Sequence, residues 1–278
     1  MSDTHSSVTP ISQAICTTPW QDTPGARRRA RFTADWFGVR LVARNNRSIE
    51  QLFAQEQARV VVVAQEQPVL YHAESPDTAL FFHPGMALQR IRAMENGQVD
   101  RLIRVAGIKP GNHVIDATLG MGMDTMVIAH AVGESGRVTA MESSWWLVKL
   151  FEFAQGELNP KFPEVQSLLQ RVQVIQGNHE QLLCAQAPCS AHVVVFDPMF
   201  RRPPDRESSM DTARHWTMAG ALSERAVACA KRVAARSVVF KERPSSGEFE
   251  RFGLLPDKPR ARFAYGVWHQ HGSRQMDG

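Results

Sequence analysis

The most constraining feature of this sequence is a regular alternation of strand-like and helix-like segments that begins after Gly111. Short apolar runs such as HVIDAT, RVTAME and AHVVVFD alternate with longer segments of helical period, among them MDTMVIAHAV and SWWLVKLFEFA. Parallel strands need a crossover connection between them, and a helix is the usual one. The sequence therefore predicts an α/β fold with a doubly wound, mostly parallel sheet over residues 83–278.

The first 82 residues lack this alternation. Residues 1–31 are rich in proline and small polar residues, show no sustained period and end in an arginine cluster, so we predict a mobile tail. The arginines can contact phosphates, although a solvated charge run is the favoured interpretation. Residues 32–82 are predicted to form a small α+β subdomain, because a capping box at Ser48 precedes a short helix and the predicted strands Val60–Val63 and Val69–His72 flank a hairpin-like turn.

Composition excludes some classes of protein. Apolar residues make up 43% of the chain and charged residues 22%, which excludes a disordered chain, and the net charge of +4 permits a polyanionic partner without requiring one. The cysteines and histidines show no zinc-binding spacing and no disulfide framework, so we expect no metal site. The longest wholly apolar run, Val60–Ala64, is far too short to span a bilayer, and a cytoplasmic protein without a membrane partner is expected.

A glycine-containing turn follows the first strand of the alternating region. The strand ends at Asp116, and Gly120 and Gly122 let the backbone approach a ligand where the chain turns into a helix. A dinucleotide-binding fingerprint needs a third small residue, but Thr125 stands at that spacing. Asp116 would repel a diphosphate, whereas it suits a ligand with a cationic amine and a sulfonium, the charge pattern of S-adenosylmethionine. An ordinary glycine turn capped by Asp116 is the alternative.

Polar residues also follow the next two strands. Glu142 ends the second strand, where a carboxylate can accept hydrogen bonds from both hydroxyls of a ribose. Asn178 follows the third strand, and its amide can bind an adenine edge, although a plain turn residue is equally consistent. With the glycine loop, these positions predict a nucleoside laid across the strand ends.

The fourth strand ends in Asp197-Pro-Met-Phe. Asp197 and the carbonyl group of Pro198 can accept both hydrogens of an exocyclic amine, and Phe200 can stack on its ring. This arrangement would align the nitrogen lone pair with a methyl group for in-line displacement. The alternative is that Asp-Pro merely ends a strand. Lys241, at the end of the fifth strand, is either a positive charge near the substrate or a solvated lysine.

In order and spacing, these segments resemble motifs I to IV of the class I S-adenosylmethionine-dependent methyltransferases. The FFHPGMALQR segment, the Asp-Pro-Met-Phe form and VVFKERP resemble most closely the ribosomal small-subunit methyltransferase J-like group and its uncharacterised Bacillus relatives. The resemblance covers residues 80–270 and implies a Rossmann-like sheet of seven strands, S-adenosylmethionine as cofactor and methylation of guanine N2 in small-subunit ribosomal RNA. Met199 replaces the second proline of the common motif, and the first 80 residues have no traceable match.

The motifs and the resemblance together assign roles to individual residues. The predicted catalytic residues are Asp197, Pro198 and Phe200. The predicted cofactor-binding residues are Asp116, Thr118, Gly120, Gly122, Asp124, Glu142, Ser143, Asn178 and His179. The predicted substrate-binding residues are His83, Met199, Arg201 and Lys241. The arginines that are candidates for phosphate contacts are Arg90, Arg92, Arg101, Arg104, Arg201 and Arg202.

The sequence thus predicts an enzyme, an S-adenosylmethionine-dependent N-methyltransferase that acts on a base amine of structured RNA. The alternative is a small-molecule enzyme with the same cofactor. Because a sulfonium has three electrophilic carbons, that enzyme would methylate a metabolite amine, or transfer or cyclise another carbon group. A binding module without turnover is disfavoured by Asp197 and Phe200. The sequence predicts no oligomeric state.

Overall fold

A computed structural model describes residues 10–156, 163–198, 215–217 and 221–270. Its strands are β1 (Ala14–Thr17), β2 (Arg40–Leu41), β3 (Val60–Ala64), β4 (Pro68–His72), β5 (Ser75–Leu80), β6 (His113–Asp116), β7 (Arg137–Glu142), β8 (Val172–Gln176), β9 (Ala191–Phe196), β10 (Ala234–Glu242), β11 (Leu255–Pro256) and β12 (Ala264–His269). Its helices are α1 (Pro24–Trp36), α2 (Ile49–Glu56), α3 (Gly85–Glu95), α4 (Arg101–Ala106), α5 (Met123–Val132), α6 (Trp145–Gly156), α7 (Pro163–Leu169), α8 (His179–Ala185), α9 (Glu224–Val233) and α10 (Glu248–Arg251).

The chain forms two compact units. The first consists of Met1–His83, Ser144–Lys161 and Arg202–Ala219, and the second of Pro84–Ser143, Phe162–Arg201 and Gly220–Gly278. Each unit contains its own sheet. The division into a subdomain over 32–82 and a catalytic domain over 83–278 stays a prediction.

The sheet of the second unit has seven strands in the order β11-β12-β10-β9-β6-β7-β8. Strands β10, β9, β6, β7 and β8 run parallel, whereas β12 is antiparallel to β10 and to β11. This order confirms the predicted Rossmann-like, mostly parallel sheet. The chain moves outward from β6 to β8 and then crosses to β9 on the other side of β6. Such a reversal opens a crevice at the carboxyl ends of the two central strands.

Buried aliphatic residues explain why the central strands form. Val193, Val194 and Val195 of β9 are at most 1% exposed, as expected for a parallel strand that is covered on both faces. Ile115 of β6 and Phe240 of β10 belong with Val194 to one buried cluster. The polar residues that follow these strands are therefore held at one edge of a rigid sheet.

The sheet of the first unit has five strands in the order β2-β1-β3-β4-β5. Strand β1 is parallel to both of its neighbours, and β3, β4 and β5 form an antiparallel meander. The predicted capping box before α2 is confirmed, because Gln51 N donates to Ser48 Oγ (3.2 Å) and Ser48 N donates to Gln51 Oε1 (2.9 Å). The predicted hairpin-like pair of strands Val60–Val63 and Val69–His72 is also confirmed, because β3 and β4 pair antiparallel.

An aromatic cluster is assembled from distant parts of the first unit. The rings of Phe37 and Trp146 are stacked with centroids 6.2 Å apart, and Trp146 lies edge-to-face on Trp216 at 5.9 Å. His72 also lies edge-to-face on Trp216, at 5.6 Å. All three segments of this unit therefore contribute to one cluster.

The prediction of a mobile tail is wrong for residues 10–31. The four residues of β1 are buried between β2 and β3, and α1 begins within the segment. Strand β1 is too short to show a local period, and it is stabilised by strands that are distant in the sequence. The start of α1 had a readable signal, because Thr23 Oγ1 accepts a hydrogen bond from Ala26 N (3.1 Å) and Pro24 occupies the first helical position. Residues 1–9 lie outside the described residues.

The apolar period of residues 212–234 predicts one long helix, but the helix in the structure begins later than Thr212. Helix α9 begins at Glu224, after Ser223, whose Oγ accepts a hydrogen bond from Ala226 N at 2.9 Å. Residues 221–223 are not helical, and residues 212–214 and 218–220 lie outside the described residues. A serine that caps the helix thus overrides the apolar periodicity that precedes it.

A disulfide bond joins Cys184 of α8 to Cys229 of α9, with the Cα atoms 5.1 Å apart. The sequence showed no disulfide framework because the two cysteines are 45 residues apart, and only the packing of α8 against α9 brings them together. Cys16 and Cys189 are free thiols. Within the described ranges, no helix combines the length and the apolar character needed to cross a bilayer.

Candidate functional site

The carboxyl ends of the central strands are tied together by backbone hydrogen bonds. Ala117 N donates to Val195 O (2.9 Å), which joins the end of β6 to the end of β9. Gly177 N donates to Glu142 O (2.8 Å), which joins the loop after β8 to the end of β7. The side chains that follow these strands therefore occupy fixed positions at one edge of the sheet.

A loop with two left-handed glycines connects β6 to α5. Gly120 has φ 52° and Gly122 has φ 76°, a conformation that glycine adopts without steric cost. Gly120 N donates to Glu142 Oε2 at 3.0 Å, and Ser143 Oγ donates to Glu142 Oε1 at 3.3 Å. Among the described residues, a Cβ added at Gly120 would meet only Thr118 O, at 3.8 Å. This side of the loop is therefore open to a ligand at the N-terminus of α5.

Asp116, at the end of β6, is the most deeply buried carboxyl of the site. It is 2% exposed; Oδ1 accepts a hydrogen bond from Thr118 N (3.0 Å), and Oδ2 accepts one from Thr125 Oγ1. Burial raises the pKa of Asp116 to about 6 against the effect of these hydrogen bonds, and the nearby carboxylates of Asp124 and Glu142 raise it further. The strand ends thus concentrate negative charge, which a cationic ligand would relieve.

The residues after β8 have structural partners. Asn178 Oδ1 accepts hydrogen bonds from Glu180 N (2.9 Å) and Gln181 N (3.3 Å), so it caps α8. The side-chain oxygen of Asn178 therefore serves the turn into α8, which agrees with the interpretation of Asn178 as a plain turn residue. Contact of Asn178 with an adenine edge stays a prediction. The ring of His179 lies edge-to-face on Phe196 at 5.8 Å, and burial lowers its pKa. His179 is therefore neutral at neutral pH.

Asp197 follows β9 and lies beside the glycine loop. Its backbone N donates to Thr118 Oγ1 (2.6 Å), and its Oδ2 accepts a hydrogen bond from Lys241 Nζ (2.6 Å). Burial raises the pKa of Asp197 to about 7; Lys241 lowers it, and the carboxylate of Asp124 raises it. Burial lowers the pKa of Lys241, but Asp197 and Asp124 outweigh this effect and hold it above its usual value. Asp197 is thus a carboxyl that exchanges its proton near neutral pH, beside a lysine that stays charged.

Two arginines that were candidates for phosphate contacts are bound to carboxylates instead. Arg90 donates to both oxygens of Asp100, at 2.9 and 3.0 Å, and to Asp124 Oδ1. Asp124 Oδ2 is buried and has no hydrogen-bond donor among the described residues. Arg101 donates to both oxygens of Asp257, at 2.8 and 2.7 Å. These interactions connect α3 with α4 and α5 and engage part of each guanidinium in ion pairs, while 29% of the Arg90 side chain and 24% of the Arg101 side chain stay exposed. Contact of these arginines with RNA stays a prediction.

The remaining predicted residues fall into three groups. His83 belongs to the first unit, where its ring lies edge-to-face on Phe81 at 6.1 Å. Arg92 and Arg104 are exposed on α3 and α4, and Pro198 is half-buried. The predicted residues that lie outside the described residues are Met199, Phe200, Arg201 and Arg202.

Sequence reasoning missed Tyr265 of β12. Tyr265 is opposite Lys241 in the strand register, and its ring lies 5.1 Å from the guanidinium carbon of Arg101. Burial raises the pKa of Tyr265, and the carboxylates of Asp124 and Asp197 raise it further, so the phenol stays protonated. No local pattern marks this residue, because only the insertion of β12 beside β10 brings it to the site.

One group of described residues has ligand atoms close enough for a metal ion. His72, Glu74 and His215, all in the first unit, have such atoms within 4.8 Å of one another. The two rings are stacked at 4.9 Å, however, and the nitrogens of His215 lie 2.8 Å from Ser75 Oγ and 3.3 Å from Glu74 Oε2. Parallel rings do not direct their in-plane lone pairs at one point, so we describe this group as a polar cluster.

The site combines an open glycine loop, three neighbouring carboxylates at the ends of β6 and β7 and in α5, and a carboxyl with a raised pKa after β9. Among the described residues, the donor set contains no cluster of cations that would bind a diphosphate, and its negative charge fits a nucleoside with an amino group and a sulfonium. This fold and this site define a class I methyltransferase that uses S-adenosylmethionine as its cofactor.

The chain belongs to the family described as putative SAM-dependent methyltransferases, whose model matches residues 45–251. It is 29% identical over 254 residues to the uncharacterized protein YpiP of Bacillus subtilis, covering 91% of this chain and 98% of that one. It is 30% identical over 164 residues to the ribosomal RNA small subunit methyltransferase J of Pseudomonas paraeruginosa, and this match spans 57% of this chain and 60% of that enzyme. The solved structure of a SAM-dependent methyltransferase from Neisseria gonorrhoeae has the same fold, with a TM-score of 0.58, 17% identity, and coverage of 93% of this chain and 97% of that one.

Proposed function

We propose that the protein transfers a methyl group to an exocyclic amine of an RNA base, with N2 of a guanine in small-subunit ribosomal RNA as the first candidate. The observation that carries this proposal is the partly exposed carboxyl of Asp197, which Thr118 and Lys241 hold beside the open glycine loop. A carboxylate in this position can accept a hydrogen bond from an amine. The relatives described as ribosomal RNA small subunit methyltransferase J support RNA as the substrate class.

The cofactor supplies a methyl group that is bonded to a positively charged sulfur. We assign its binding to the glycine loop and to the carboxylates of Asp116, Asp124 and Glu142, which attract positive charge. We also assign Glu142 as the acceptor for hydroxyl groups of a ribose, because its carboxylate lies at the end of β7 and is bound to Gly120 N of the glycine loop. Ser143 supports Glu142 through a hydrogen bond of 3.3 Å.

Asp197 has a second role in the same reaction. In the transfer, the bond between the sulfonium sulfur and the methyl carbon would break as the acceptor nitrogen bonds to that carbon, and the sulfur would leave as a neutral thioether. The nitrogen would then be cationic and would have to lose a proton. Ionised Asp197 can take that proton, and its pKa of about 7 suits a base that works near neutral pH. Lys241 stays charged throughout and keeps Asp197 oriented through the 2.6 Å contact.

We expect methyl-labelled S-adenosylmethionine to label small-subunit ribosomal RNA prepared from cells that lack this protein. The purified protein is incubated with that RNA, with total RNA and with a small-molecule extract, and the labelled RNA is digested to nucleosides. The expected product is N2-methylguanosine. RNA from cells that contain the protein serves as the control and should take up little label. Label confined to the small-molecule extract would reject the proposal and favour a metabolite amine as acceptor.

The pH dependence of kcat/KM is expected to report the ionisation of Asp197. Since the carboxylate form is the active one, activity should rise with pH through about 7. Among the described residues, the charged groups that act on Asp197 are Lys241 and Asp124. Because Lys241 lowers the pKa, Lys241→Met should move the profile upward by about one pH unit. Because Asp124 raises it, Asp124→Asn should move the profile downward.

If Asp197 had only a structural role, Lys241→Met and Asp124→Asn would not move the midpoint of the pH profile in opposite directions. Arg137→Ala, which removes a positive charge at the amino end of β7, is the matched control and should leave the midpoint unchanged. A midpoint that stays in place in both site variants would show that Asp197 does not control the profile.

A further inference from the structure

The exposed face of α1 carries arginines that the proposed catalytic site does not use. Arg27, Arg28 and Arg31 are exposed, while the opposite face of the helix, which includes Ala26 and Ala30, is buried. Arg27 pairs with Asp22 at 2.8 Å, but both side chains are largely in water, where such a pair contributes little. Within the described ranges, Arg28 and Arg31 have no carboxylate partner. The three side chains therefore present positive charge to a partner.

The positions of these arginines are unfavourable for the helix itself. Arg27 and Arg28 lie in the N-terminal half of α1, whose first turn contains no acidic residue, so they face the positive end of the helix dipole. Arg31 lies three residues from Arg28 and four from Arg27, and like charges at these spacings repel. Helix stability does not explain the cluster, whereas a polyanionic partner does.

An exposed aromatic side chain stands next to this face. Trp20 precedes α1 by a few residues and is 61% exposed, which is unusual for a large aromatic residue. The guanidinium of the buried Arg44 lies 5.3 Å from its ring centroid, and Arg44 is fixed by hydrogen bonds to Thr18 O (3.3 Å) and Arg47 O (3.1 Å). The ring is therefore held at the surface as a platform for a planar group.

We infer that Trp20, Arg27, Arg28 and Arg31 form an RNA-binding surface, in which the arginines contact phosphates and Trp20 stacks on an unpaired base. Cationic side chains beside an aromatic platform are the combination that single-stranded RNA requires. The buried face of α1 is mostly alanine. Its exposed face carries the arginines and one partly exposed aromatic residue, Phe32 (45%), whose ring also contacts Trp36 and Phe153. Charge therefore dominates the exposed face, which favours RNA over a lipid surface. This inference rests on the proposed function, because it takes RNA as the substrate class.

The test measures the affinity of the protein for transcribed small-subunit ribosomal RNA at salt concentrations between about 50 and 200 mM. S-adenosylmethionine is present throughout. Arg28→Ala combined with Arg31→Ala should weaken binding about tenfold and reduce the slope of log K against log salt by ~1.4, about 0.7 for each lost phosphate contact. Trp20→Ala should weaken binding about tenfold without changing the slope, and Trp20→Phe should restore most of the affinity. Calorimetric affinity for S-adenosylmethionine and the midpoint of thermal unfolding should both be unchanged in all variants, which shows that the second unit and the first unit are folded.

The matched control combines Arg137→Ala and Arg171→Ala, which removes the same charge from the amino ends of β7 and β8. It should change neither the affinity nor the slope. If the wild-type protein neither binds nor methylates RNA, the proposed function fails. If it does both, and the Arg28 and Arg31 variant keeps the wild-type affinity and slope, only this inference fails. If the wild-type protein binds anionic vesicles and the Arg28 and Arg31 variant loses this binding but keeps its affinity for RNA, the surface is a membrane-binding one. That result would overturn this inference.

Discussion

Replacing Asp197 by alanine is expected to lower methyl transfer to RNA by about a hundredfold or more, with little change in affinity for S-adenosylmethionine. The acceptor amine would lose the group that orients it and takes its proton. The loss of one well-placed polar contact of ~2.7 kcal/mol corresponds to about a hundredfold in rate. Single-turnover transfer of label to small-subunit RNA measures the rate, and calorimetry measures cofactor affinity.

Asp197→Asn separates the two roles of this residue. The amide keeps the shape and one acceptor oxygen but cannot take a proton, so its rate should lie between those of the wild type and the alanine variant. It also avoids leaving Lys241, which is 20% exposed, beside an empty space. Glu134→Ala, which removes a carboxylate that is 93% exposed, is the matched control and should have no effect. Near-normal turnover in Asp197→Ala would remove the residue from the mechanism.

Replacing Glu142 by alanine is expected to weaken binding of S-adenosylmethionine about ten- to a hundredfold. A charged acceptor that loses its hydrogen bonds costs ~1.5 to 3 kcal/mol. The same change leaves Gly120 N without its acceptor at 3.0 Å, which loosens the glycine loop. Calorimetric titration of the variant with the cofactor measures the effect directly.

The conservative variant Glu142→Gln keeps an acceptor for Gly120 N and loses only the charge. Its affinity for S-adenosylmethionine should therefore lie between those of the wild type and Glu142→Ala. Glu134→Ala again controls for the general loss of a carboxylate. Wild-type affinity in Glu142→Ala would mean that the ribose is not bound at the end of β7.

The parts of the fold that the sequence predicted are those with a local signal. The strands β6, β7 and β9 are short, apolar and bounded by polar residues, and they alternate with helices, so their order and the edge where Asp116, Glu142 and Asp197 meet could be predicted. The short strand β1 had no such signal, because its stability comes from its neighbours β2 and β3.

The contacts that set the electrostatics of the site could not be predicted in the same way. Arg90 and Asp124 are 34 residues apart, and Lys241 and Asp197 are 44 residues apart. Such pairs form only when the crossovers place their elements side by side. Thr125 is another example. Its position in the sequence excluded a dinucleotide-binding fingerprint, but the sequence did not reveal that its hydroxyl donates a hydrogen bond to Asp116.

The aromatic cluster of the first unit bears on the order in which the newly made chain can fold. Phe37 and His72 leave the ribosome early, whereas their partners Trp146 and Trp216 are synthesised only after many residues of the second unit. Chains emerge from the N-terminus, and domains usually fold as units while synthesis continues. The early segment can form one buried cluster, which includes Ile15, Leu52 and Val61, from its own residues, but the aromatic cluster stays incomplete until Trp216 is released. The aromatic part of the first unit therefore forms late, and residues 1–83 cut out on their own would lack Trp146 and Trp216 of this cluster.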